Sequence, residues 1–254
     1  MWASPPCQDW SRAGKREGAN GDRNGWPWSF DVVDHARPRW LLAENVTGML
    51  SHTDACKPQC SHECPAHYWH EVVLNEARKR FAWVGWRVLD AADFGVAQRR
   101  HRVFLVCGPR PIEWPEATHQ DPKTLAQVDL FAPKRKPWAS CGEALGVGVY
   151  ALQTANGPGL TKDMRRVNDL TARPGLTVSA SRMGPSAGGA MYTLGPDGKP
   201  RALSQLEAAR LQDFPDDYPW CGSSSEQHRQ VGNAVPPTLA RVLAEAVNRA
   251  EATQ

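Results

Sequence analysis

Apolar residues along this chain recur at two spacings, and each spacing predicts an element. Residues 1 to 4 read as the tail of a strand. Arg39-Trp-Leu-Leu-Ala43 reads as a short buried strand with Glu44 at its carboxyl edge. Trp86-Arg-Val-Leu89 and Arg102-Val-Phe-Leu-Val-Cys107 are two further strands, joined through Asp93-Phe-Gly-Val96. Trp69, Val73, Ala77 and Phe81 fall four apart on one face. That predicts a helix over about 67–83, with Gly85 as its C-cap. A shorter helix is predicted over 29–37, closed by Pro38. Another is predicted over 204–214, where Ser204 and Glu207 form a capping box. The last helix starts near Pro236-Pro237 and carries Leu239, Val242, Leu243, Ala246 and Val247 as one apolar stripe.

The polar stretches between these elements divide the chain. Residues 7–27 read as a loop rich in Gly, Asn, Arg and Asp, and 51–66 as a Cys/His/Pro-rich insertion. Residues 109–172 hold many prolines, a Lys134-Arg-Lys136 cluster and little periodicity, so they read as a smaller, loop-rich region. There is no internal repeat. The expected organisation is a main domain over 1–108, an inserted region over 109–172, and a return to the main domain over 173–254. Strands alternating with helices make the class α/β.

Composition narrows the setting. A hydrophobic fraction of 41% in 254 residues suffices for a sizeable core. No stretch reaches the apolar length of a transmembrane helix, and no signal-peptide pattern opens the chain, so the expectation is cytoplasmic with no membrane partner. The net charge of +3 says little by itself. Arginine outnumbers lysine, however, and its planar fork suits phosphates and guanine edges. Seven cysteines, an odd number without a secretory signal, argue against a disulfide framework and leave catalysis or metal binding.

Four blocks carry candidate chemistry. Cys7 follows the rigid Pro5-Pro6 pair and precedes a polar, basic loop, the setting of a nucleophile on a fixed stem. Glu44 ends a buried run, where burial raises a carboxyl pKa towards neutrality. Gln98, Arg100 and Arg102 are spaced by two, so on a strand they share one face, and two inward arginines call for an anion or acceptors. Gly232-Asn-Ala-Val-Pro-Pro237 combines a turn signal with a proline helix start. In the insertion, Cys56, Cys60 and Cys64, with His67 or His70, have the softness and spacing of a structural zinc site. The alternative there is a reduced, solvated loop.

In this order the blocks resemble the cytosine-5 DNA methyltransferase family. The match includes Pro5-Pro-Cys-Gln8 with Ser11 and Gly14, Glu44-Asn-Val46 and Phe94-Gly-Val-Ala-Gln-Arg-Arg-His-Arg-Val-Phe104. Arg173-Pro-Gly-Leu-Thr177 resembles the Arg-Pro-x-x-Thr block, and Glu207 to Pro215 the Glu-x-x-x-Leu-Gln-x-Phe-Pro block. The resemblance spans nearly the whole chain except 51–66 and most of 116–172. It implies part of a Rossmann-like, S-adenosylmethionine-dependent methyltransferase sheet with a small inserted target-recognition domain. It further implies double-stranded DNA as partner and a covalent adduct of Cys7 at C6 of a cytosine flipped out of the stack. Glu44 would act at N3, Arg102 with Arg100 at O2 and the nearby phosphate, and residues 8–26 would close over the base. Pro5, Asn233 and Val235 match positions near the cofactor. A restriction or phage setting fits the short recognition region.

One departure bears on activity. The family's Phe-x-Gly-x-Gly cofactor loop occurs nowhere in the 254 residues, and Gly184-Pro-Ser-Ala-Gly-Gly189 lies in the wrong place to replace it. Met1-Trp2 reads like the interior of the family's fourth strand. The expectation is a truncated reading. The alternatives are an enzyme split with a separate N-terminal chain, or a remnant. A non-catalytic DNA-binding fragment is the rival from another class. A tRNA cytosine-5 methyltransferase ranks lower, because its Cys-Phe-Thr signature is absent.

Overall fold

The computed structural model describes residues 1–10, 21–51, 64–125, 134–152, 167–180 and 190–252. The fold is α/β, and the chain divides into two compact units. Met1–Leu89, His101–Glu113 and Ala246–Gln254 form the first; Asp90–Arg100 and Trp114–Glu245 form the second. This division differs from the partition expected at 108/109 and 172/173, because 90–100 and 173–245 cluster with the proline-rich region.

The first unit is built on a four-stranded sheet of order β1-β2-β4-β3. β1 (Trp2–Ala3) runs parallel to β2 (Leu41–Val46), which pairs antiparallel with β4 (His101–Gly108); β3 is Trp83–Asp90. In the β2–β4 register Leu41 faces Cys107, Ala43 faces Leu105 and Asn45 faces Val103. Because side chains alternate along a strand, the apolar members of this set point to one side. There they join Trp26, Phe30 and Val33 of helix α1 (Trp26–Ala36) and Trp69, Val73 and Ala77 of helix α2 in one core. Glu44 and Arg102 belong to the opposite face.

α1 starts three residues earlier than the periodicity suggested. Gly25 is its N-cap, and Pro27 is tolerated in the first turn, where an N–H has no intrahelical partner anyway. Arg37, at φ 44°, ends it before Pro38. α2 comprises Pro65–His67, a π-helical stretch Tyr68–Val73, and Leu74–Arg80. Its expected stripe is real: Trp69, Val73 and Ala77 are fully buried. Its expected end is not. Phe81 is already extended, and Gly85 lies inside β3, where a Cβ would meet the Trp83 ring at 2.6 Å. The Trp83 indole packs over that glycine, which caps no helix.

The second unit holds a four-stranded antiparallel sheet, β10-β9-β7-β8, made of Tyr150–Leu152 (β7), Val167–Asp169 (β8), Met191–Leu194 (β9) and Pro200–Ala202 (β10). β5 (His119–Gln120) and β6 (Lys136–Pro137) form a separate parallel pair. Three helices here begin with complete Ser/Glu capping boxes: α3 (Cys141–Leu145), α4 (Gln205–Leu211) and α5 (Ser224–Asn233). The box at Ser204 was legible in sequence; that at Ser223 and Glu226 was legible too and was missed. Gly232 and Asn233 are the last residues of α5, not a turn, so the Gly-Asn signal marked a helix end. α6 (Pro237–Ala252) follows, with Leu239, Leu243, Ala246 and Val247 buried and Val242 half-buried, as the stripe predicted. Among the described residues no helix is long and apolar enough to cross a membrane.

Candidate active site

The first unit's candidate residues lie towards the carboxyl ends of two parallel strands, Cys7 beyond β1 and Glu44 in the second half of β2, the side on which open α/β sheets bind ligands. Four residues beyond Ala3 of β1 stands Cys7, half-buried and not disulfide-bonded. The backbone turns directly after it: the Trp10 amide donates to the Cys7 carbonyl at 3.1 Å. Its stem is fixed from two sides. The Asn45 side-chain amide donates to the Pro5 carbonyl at 3.1 Å, and a Cβ on Gly25 would come within 2.6 Å of the Pro6 ring. Asn45 is 1% exposed, and its Oδ1 accepts from the Val46 amide at 2.9 Å. It therefore locks the Cys7 stem onto the strand that carries Glu44. Sequence reasoning passed over Asn45; a buried amide beside a candidate carboxylate was the available signal.

Glu44 and Arg102 form an ion pair, with Arg102 Nε 2.8 Å from Glu44 Oε1 and the two side chains only 8% and 12% exposed. The register explains it. Val46 stands opposite Arg102, so Glu44 is the diagonal neighbour two residues along on the same face. Arg102 also donates to the His101 carbonyl at 2.8 Å. A carboxylate so placed holds an acceptor in fixed orientation at low solvent exposure, and its arginine supplies further donors.

Thiol environments separate the cysteines. Burial pushes Cys107 and Cys141 up to about 12, which keeps both as unreactive thiols at neutral pH. Cys221 is exposed and Cys64 buried.

The second unit gathers four other motif blocks into a buried polar knot. Gln98 and Arg100 do not continue β4 on the face of Arg102. The strand begins at His101, and Gln98 instead bridges to Gly175 in parallel. That pairing takes the segment out of the expected strand, so the period of two no longer governs it. Gln98 is fully buried, accepting from the Val178 amide at 2.8 Å. Arg100, 1% exposed, donates to the Val178 carbonyl at 3.1 Å and the Gly232 carbonyl at 2.7 Å. The acceptors the sequence demanded for this inward arginine are thus backbone carbonyls. Gln212 donates to the Val231 carbonyl in the same knot.

Gly232 is required there. A Cβ would lie closer than 3.0 Å to the Ser179 carbonyl and to Ala180 backbone atoms, none of which is a flexible side-chain end. Gly232→Ala should therefore destabilise the protein by about 1–3 kcal/mol through overpacking. Urea unfolding followed by circular dichroism checks this; an unchanged midpoint would count against the knot.

The remaining expected residues belong to both units. Pro5 is buried in the first unit, with its carbonyl used by Asn45, whereas Asn233 is exposed and Val235 half-buried in the second. Of the zinc ligands, Cys56 and Cys60 lie outside the described residues, as do Ser11 and Gly14 of the loop beyond Cys7. Cys64 points its thiol at the Ser51 carbonyl, 3.7 Å away, and His67 closes the first turn of α2. Among the described residues no group of three or more metal-binding side chains occurs.

The family described as C-5 cytosine-specific DNA methylase matches residues 1–249. The chain is 30% identical to the type II methyltransferase M.AplI of Arthrospira platensis over 244 residues, which cover 96% of this chain and 66% of that protein. It is 31% identical to the type II methyltransferase M.MthTI of Methanothermobacter thermautotrophicus, covering 96% and 77%. The chain thus spans slightly less than two thirds of the first relative. Among solved structures, the S. pombe Dnmt2 methyltransferase superposes with a TM-score of 0.56 at 17% identity, covering 98% of this chain and 77% of that one. That likeness bears on the fold.

Proposed function

The chain belongs to the C-5 cytosine-specific DNA methylase family, and on that premise we propose that it carries the base-side chemistry of cytosine-5 methylation in double-stranded DNA. The observation that supports this most is the Glu44–Arg102 pair, tied through Asn45 to the stem of Cys7. S-adenosylmethionine, when bound, supplies the methyl group.

Cytosine C5 is a weak nucleophile. Addition of the Cys7 thiolate at C6 forms an S–C6 bond and moves the ring's electron pair towards C5. Glu44 holds the proton at N3, so negative charge does not accumulate on the ring, and Arg102 keeps Glu44 oriented while offering a donor to O2. After C5 has gained its methyl group, a base removes the C5 proton. The electron pair then re-forms the C5–C6 double bond and expels the Cys7 thiolate. The target base leaves the duplex stack to reach such a site, as methyltransferases require. Arg100, whose guanidinium donates to the Val178 and Gly232 carbonyls, is proposed to hold the second unit's part of the site in place and to act with Arg102 towards O2 and the nearby phosphate.

Residues 109–172, the proline-rich stretch, are the proposed target-recognition region. The cytoplasm is the proposed compartment, and a type II modification system, of cellular or phage origin, the proposed setting. A structural zinc on Cys56, Cys60, Cys64 and His67 remains part of the proposal; elemental analysis of unchelated protein should find about one zinc per chain, and a metal-free result ends it.

The deciding experiment is transfer of a labelled methyl group from S-adenosylmethionine to duplex DNA, with tRNA as the competing substrate. Calorimetric titration with S-adenosylhomocysteine runs beside it. Labelled DNA with silent tRNA supports the proposal, and label on tRNA alone overturns it. Folded protein that binds DNA but gives no methyl transfer, even with a companion chain bearing the glycine loop, favours a non-catalytic DNA-binding role.

A further inference from the structure

Residues given no role by the motif blocks also hold the turn at Cys7. Trp10 is the hub. Its amide donates to the Cys7 carbonyl at 3.1 Å and closes the turn that follows Cys7. Two contacts fix Trp10, which is only 2% exposed. Its carbonyl presses on the backbone of Gly48, in the 3-10 turn Thr47–Leu50 that directly follows β2. A Cβ at Gly48 would lie closer than 3.0 Å to that carbonyl oxygen. Its indole stacks on the Tyr68 ring, with centroids 5.0 Å apart and planes 21° from parallel. Tyr68 opens the π-helical stretch of α2, and wide turns of this kind recur at functional sites. The Tyr68 hydroxyl accepts from the Asn24 side-chain amide at 2.9 Å, and Asn24 immediately precedes Gly25, the residue packed on the Pro5-Pro6 stem.

We infer that Gly48 and Tyr68 are positioning residues for Cys7, acting through Trp10. The inference deepens the reading of Cys7 as the nucleophile and rests on it, but its test does not use methyl transfer. Gly48→Ala pushes the Trp10 carbonyl away; Tyr68→Leu removes the stacking partner; Tyr68→Phe keeps the stack and loses only the hydroxyl.

The test is the rate of iodoacetamide labelling of each cysteine in the full chain, read by peptide mass spectrometry. The protein carries its own controls. Exposed Cys221 reports reagent access, and buried Cys107 and Cys141 report global loosening. Local release of the turn should raise the Cys7 rate at least about threefold in Gly48→Ala and Tyr68→Leu. Cys221 should stay unchanged and Cys107 and Cys141 silent, while Tyr68→Phe stays within about twofold of the parent. An unchanged Cys7 rate in both disruptive variants overturns the inference. So does labelling of Cys107 and Cys141 together with Cys7, which marks a purely structural role. A Cys7→Ser protein that still methylates DNA would remove the nucleophile reading and leave the anchoring result standing.

Discussion

Cys7→Ser is expected to leave the protein folded and to lower methyl transfer at least about a thousandfold, since the covalent step has no substitute. The physical case is one of environment. Cys7 is half-buried on a stem braced by Asn45 and Gly25, whereas Cys107 and Cys141 are enclosed and held at about 12 by burial. Serine has nearly the same volume but a hydroxyl far less nucleophilic than a thiolate. The stability change should stay within about 0.5 kcal/mol, the range of substitutions that disturb no core contact. Urea midpoints and the methyl-transfer assay run on the same sample separate the two effects. Activity retained at more than a few per cent would show that another group attacks the base.

Glu44→Gln should affect activity and stability together. Removing one partner of a buried pair leaves the other charge uncompensated, at a cost of about 3–5 kcal/mol. With Glu44 and Arg102 only 8% and 12% exposed, that regime applies better than the surface one. Glutamine retains size and one acceptor oxygen, so the loss should fall at the lower end, with Glu44→Ala above it. On the proposed role of Glu44 at N3, the rate should fall by about a hundredfold to ten-thousandfold. A double-mutant cycle with Arg102→Gln tests whether the pair acts as a unit. A coupling of about 0.5–3 kcal/mol is expected, and strict additivity would mean that the two side chains do not depend on each other.

The candidate positions for chemistry could be named from the chain because the signals that mark them are local. A cysteine after two prolines, a carboxylate ending an apolar run, and serine three residues before glutamate each state their own structural preference. The apolar stripes of α2 and α6 were legible for the same reason, since helical periodicity needs no distant partner. The family blocks added order and spacing to these local signals.

Arg100 and Arg102 show where such reasoning stops. Two residues apart, they read as one functional pair, yet Arg102 faces Glu44 across the β2–β4 ladder while Arg100 is bound to the carbonyls of Val178 and Gly232. Spacing by two fixes a common face only while the strand lasts, and the pairing of Gln98 with Gly175 ends it. Gly85 and Gly232 looked like a cap and a turn, because glycine announces backbone freedom without saying whether a turn or a neighbour demands it. Here the neighbours are the Trp83 indole and the Ser179–Ala180 backbone. The sequence by itself determined the α/β class, the helical stripes, the family and which residues are candidates for chemistry. Only the tertiary structure decided the strand register that pairs Glu44 with Arg102, the knot that consumes Arg100, and the Trp10–Tyr68 stack beside Cys7. Each of these depends on contacts between residues far apart in the chain, and local propensity carries no record of them.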